Sequence, residues 1–92
     1  MSASRVEKIE NALRETFSPS ELRIKDQSHL HAGHQGAQDG RGHFEVFIVS
    51  EKFEGLRSLQ RHRMIYAALG ELMDTDIHAL RIKSHTPAEN QP

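Results

Sequence analysis

His43-Phe44-Glu45-Val46-Phe47-Ile48-Val49-Ser50 is the stretch on which the fold turns. Phenylalanine, valine and isoleucine dominate it, the aromatic and β-branched types that fit a pleated surface. Its second half is apolar at successive rather than alternate positions, which predicts a central strand covered on both sides. Phe53-Glu54-Gly55 then turns the chain. On the other flank, Asp26 to Gly42 holds four glycines and three histidines but no β-branched or aromatic residue. Such a segment cannot bury itself and predicts a long loop, of a length that is often functional when it persists. Ahead of that loop, Leu22 and Ile24 alternate with Arg23 and Lys25, as in a strand with one wet face.

Outward from this hairpin the periodicity changes to helical. Ser4 and Glu7 have the Ser-x-x-Glu spacing of a capping box, and Val6, Ile9, Leu13 and Phe17 then form one face. Ser18-Pro19 stops that helix, because proline disfavours helical geometry in the residue before it. From Ser58 to Met73 a second helical stretch carries Leu59, His62, Ile65, Tyr66, Leu69 and Met73 as its expected core stripe. Arg57, Arg61, Met64 and Ala68 are expected on the face turned away. Asp74-Thr75-Asp76 ends the helix, and Leu80 and Ile82 between Arg81 and Lys83 make a short last strand. Thr86-Pro87-Ala88-Glu89 has the cap, proline and acid of a further helix start, at most a stub, so residues 87–92 are expected as a tail beyond a single domain of residues 1–86. The fold class is α+β, a small three-stranded mixed sheet against helices in the order α-β-β-α(α)-β.

Composition narrows function. Ninety-two residues, 36% of them hydrophobic, fill one core but do not also enclose a substrate cavity. The formal charge of -1 gives no general drive toward nucleic acid. With no cysteine, the chain has no thiolate nucleophile and no thiolate metal ligand of its own. No serine is paired with a base in a recognisable motif, so an enzyme is not expected. The N-terminus lacks a secretory pattern and no apolar run is long enough for a bilayer, which predicts a cytoplasmic protein.

Seven histidines are the unusual feature. His29, His31 and His34 fall within six residues of the loop, either as a solvated polar segment or as a zinc or copper site. Asp74-x-Asp76-x-His78 admits a mixed carboxylate–imidazole site, although the aspartates read better as helix and turn caps. His62, inside the apolar stripe, reads as a packed histidine. Arg57, Arg61 and Arg63 on one helix, with Lys52 nearby, either neutralise phosphates or form an ordinary solvated face. Gly33-His34-Gln35-Gly36 has the G-x-x-G form of a nucleotide clamp, but between strands instead of helices.

Taken as blocks in order, the chain resembles the BolA-like family. The matching residues are His43-Phe44-x-Val46, Val49-Ser50, Phe53-Glu54-Gly55, Leu59-x-Arg61-His62-Arg63-Met64-Ile65-Tyr66-x-Ala68-Leu69, Ile77-His78-Ala79-Leu80 and Thr86-Pro87. The resemblance implies a KH-like order α-β-β-α-α-β-α without the nucleotide-clamping glycine loop, and so two short helices within Ser58 to Met73. It also implies a partner, a monothiol glutaredoxin, with which a [2Fe-2S] cluster is shared in iron homeostasis. Carried over by position, the iron ligands fall on His78 and His34, the remaining ligands being thiolates of the glutaredoxin and its glutathione. Imidazole on one iron and thiolate on the other is a known arrangement. On this reading the isolated chain holds no cluster, is a monomer, and forms a heterodimer with its partner. The alternative that the family suggests is a DNA-binding transcriptional regulator, using Arg57, Arg61, Arg63 and Lys52.

Overall fold

The computed structural model describes residues 4–27 and 42–90. Helix α1 spans Arg5–Phe17, strand β1 Glu21–Asp26, strand β2 Gly42–Val49, helix α2 Ser58–Leu69, helix α3 Leu72–Thr75 and strand β3 Ile77–His85. The expected order is present, and the second helical stretch is divided as the resemblance implies. Gly70 makes the division at φ +52°, where a side chain would be strained. The glycine-rich segment with His29, His31, His34 and the G-x-x-G sequence lies outside the described residues.

Ser4 caps α1 as its spacing with Glu7 predicts. Its hydroxyl accepts from the Glu7 N–H at 3.1 Å and donates to the Glu7 carboxylate at 3.2 Å. Removing that cap with Ser4→Ala should cost about 1 kcal/mol, read as a shift in the urea midpoint at unchanged slope. At the other end Ser18 takes the left-handed conformation at φ 44° just before Pro19, and its N–H returns to the Arg14 carbonyl.

The sheet order is β1-β2-β3, with β2 antiparallel to β1 and parallel to β3. Phe44, Val46 and Ile48 face the helices and pack with Ile9, Leu13, Phe17, Phe53, Ile65 and Leu69. Ser50 ties the two layers together, its buried hydroxyl donating to the Phe17 carbonyl at 2.8 Å. The second face of β2 is covered differently from expectation. No helix lies over it among the described residues; Arg23 arches across Phe47 and Lys83 reaches Glu45. Long basic side chains cover apolar surface with their stems while their heads stay wet.

Helix α2 corrects the expected stripe. Arg61, Ile65 and Leu69 are buried, with Met64 and Ala68 packed beside them, whereas Leu59 and Tyr66 are exposed. The helix is rotated because a cation can occupy a core position when it is paired and hydrogen-bonded there. Arg61 donates to the Leu56 and Ser84 carbonyls and forms a two-bond pair with Glu89 at 2.7 and 2.9 Å. Glu89 is held in turn by the capping box read from Thr86. The Thr86 N–H donates to its carboxylate, and its own N–H donates to the Thr86 hydroxyl.

Candidate functional site

Two strands that run side by side in the same direction bring their first residues to the same end of the sheet. Here those residues include histidines. The β2–β3 register slips at this point: Gly42 pairs with Ile77, but the next residue, His43, pairs with Ala79. A slip of one residue re-aims side chains across the faces of a sheet. Ile77 enters the core, and His78 is exposed at the edge. The imidazoles of His43 and His78 meet with ring centres 5.1 Å apart, tilted by 50°. A shallow depression lined by Gln27, His43, Phe44, Ala79, Leu80 and Arg81 adjoins them.

The donor chemistry fits a borderline metal. Two imidazoles bound at about 2.0–2.1 Å to one tetrahedral ion would have ring centres roughly 5 Å apart. His78 was a candidate from sequence; His43 was not, and only the parallel pairing of β2 with β3 makes it a neighbour. His34, the second expected ligand, lies outside the described residues. Asp76 is the capping residue that sequence favours. Thr75, first, and then Lys8 and Arg5 engage its carboxylate and hold it below the usual carboxylate range. Among the described residues no three histidine, aspartate or glutamate side chains converge.

Of the four basic candidates, three are exposed and Arg61 is buried. Arg57, the N-cap residue of α2, and Arg63 within the helix are exposed. Lys52 is exposed and donates to the Thr16 carbonyl at 2.7 Å. Arg61 is 7% exposed, and contact with a phosphate would require breaking its pair with Glu89. The pair holds the Glu89 carboxyl down at about 2, Arg61 contributing most and the Thr86 N–H next.

These features define an α+β domain with one helix-covered sheet face, one open face, and a paired imidazole at the end of the sheet. Residues 13–89 match the model of the BolA-like protein family. The chain is 43% identical over 90 residues to Protein BOLA1, chloroplastic, of Arabidopsis thaliana, covering 95% of this chain and 56% of that protein. It is 42% identical over 83 residues to the DNA-binding transcriptional regulator BolA of Escherichia coli K12, covering 90% of this chain and 76% of that one. The structure of BolA1 from Arabidopsis thaliana superimposes with a TM-score of 0.83 at 39% identity, covering 98% of this chain and all of that one. The chain belongs to the BolA-like family. It spans just over half the length of the Arabidopsis relative and of the human BolA-like protein 1. No helix among the described residues is long and apolar enough to cross a membrane.

Proposed function

We propose that this chain is a non-catalytic adaptor that binds a monothiol glutaredoxin and shares a [2Fe-2S] cluster with it, with His78 as one iron ligand and His34 or His43 as the second. The observation that carries the reading is the 5.1 Å approach of His43 and His78 at an exposed strand end, in a chain with no cysteine. Imidazoles alone do not complete an ordinary cluster site, so the thiolates come from the partner's cysteine and from glutathione. The cluster supplies redox and iron-transfer chemistry. The chain would supply imidazole nitrogen donors, of which His43 and His78 are set side by side by the strand register.

Mixing with a cluster-loaded glutaredoxin, followed by visible circular dichroism, tests it. Wild type should change the spectrum and His78→Ala should not; an identical change with both would end the assignment. Loss with His43→Ala but not His34→Ala would give the second ligand as His43, and the reverse would give His34.

A second reading, duplex DNA binding, is favoured by the similarity to the DNA-binding transcriptional regulator of Escherichia coli. It would rest on Arg57, Arg63 and Lys52, and log affinity should fall by roughly 0.9 per phosphate neutralised as log salt rises. No duplex binding at low salt would remove it.

A further inference from the structure

The open face of the sheet carries a feature that neither reading uses. By the strand registers, Arg23 and Lys25 on β1 and Arg81 and Lys83 on β3 flank Glu45 and Phe47 on β2. With Glu21, the face bears four cations against two carboxylates, a positive excess in a chain whose formal total is -1. Strand geometry sets the cations in two rows, about 7 Å apart along each strand and roughly 10 Å apart across β2. Between the rows, the Arg23 guanidinium lies 5.7 Å above the half-buried Phe47 ring, and the His85 ring stands 5.3 Å from it. Arg23, Lys25, Glu45, Phe47 and Lys83 line a shallow depression on this face.

We infer that this face is a binding platform for single-stranded nucleic acid, with bases stacking on the Arg23–Phe47 pair and phosphates met by Lys25, Arg81 and Lys83. Rows of cations beside an aromatic on an uncovered sheet are the chemistry that single strands select: unpaired bases stack on aromatic or guanidinium planes while the charges follow the backbone. A duplex keeps its bases turned inward and cannot use Phe47 in this way. An acidic peptide would use the charges but has no need of the ring. The intramolecular pairs on the face, Arg23 with Glu21 at 2.7 Å and Lys83 with Glu45 at 3.0 Å, are exposed on their cationic side and are weak enough to yield to phosphate. Lys25 and Arg81 stand in register on either side of Glu45.

The test is fluorescence anisotropy of a labelled single-stranded 12-mer and of its duplex, each at two salt concentrations. The single strand should bind the more tightly. Lys25→Glu with Arg81→Glu should weaken it at least tenfold and reduce the salt slope by about 1.4, the value for two single-strand phosphates. Phe47→Leu should weaken it roughly fivefold or more, the lower end of one base–aromatic stack, and Phe47→Tyr should restore it. Thermal melts would confirm that each variant is folded. The inference is overturned by absence of single-strand binding at low salt, or by binding indifferent to Phe47→Leu, which would mark a plain charge patch. It is also overturned by duplex preferred over single strand with loss on Arg57→Glu, which would place contact at the N-terminal end of α2. His78→Ala should leave single-strand binding intact, separating this platform from the cluster reading.

Discussion

Phe53→Ala should destabilise the domain by about 3–5 kcal/mol, the cost of truncating a fully buried phenylalanine. Phe53 has no exposed surface and closes the short 3₁₀ turn that leaves β2. Its ring packs 5.0 Å from Phe17, the last residue of α1, and 5.8 Å beneath the Arg61 guanidinium of α2. One side chain therefore joins the end of the first helix, the central strand and the second helix. No nearby group can collapse into the gap without moving one of those elements, which puts the cost toward the upper end. For a domain of this size each kcal/mol lowers the melting temperature by about 4–8 °C, so the midpoint should drop by 12 °C or more. Urea unfolding of the purified variant measures it directly. A loss below about 1 kcal/mol would mean that Phe53 is not the joint described here.

How far the sequence discloses this arrangement depends on the range over which each feature is encoded. Ser4 with Glu7, and Thr86 with Glu89, are complete within four residues, and both caps form as read. The central place of β2 and its core face are legible for the same reason, whereas the cover expected on its second face is supplied by the basic side chains of neighbouring strands. Helix α2 is not, because Arg61 looks like a surface residue until Glu89, 28 residues later, is known to sit against it. Amphipathic reading puts charge outside by default, and so turned the helix toward Leu59 and Tyr66, which are exposed. His43 went unread as a site residue for a topological reason. Only parallel pairing of β2 with β3 places it beside His78, and a pairing partner is not stated by the residues of either strand.

Arg61→Ala should cost about 2–3 kcal/mol, because it leaves the Leu56 and Ser84 carbonyls without their donor and the Glu89 carboxylate without its cation. Arg61→Met keeps the stem over Phe53 and should cost less, the difference separating packing from charge. The acid limb of the stability curve carries a second signature. The Arg61 pair, with the Thr86 N–H, depresses the Glu89 pKa from 4.5 to about 2. A carboxyl with a lowered folded-state pKa stabilises fully above its unfolded value, and that contribution is lost as pH falls from about 4.5 toward 2. Glu89→Gln should therefore show a flatter pH dependence than wild type across that window, with Glu45 and Asp76, also lowered, contributing equally to both proteins. Parallel acid limbs for wild type and Glu89→Gln would show that the Arg61–Glu89 pair does not form in solution. Arg61 would then lack its carboxylate partner, so the same pair of melts decides whether Arg61 can join Arg57 and Arg63 in meeting a phosphate.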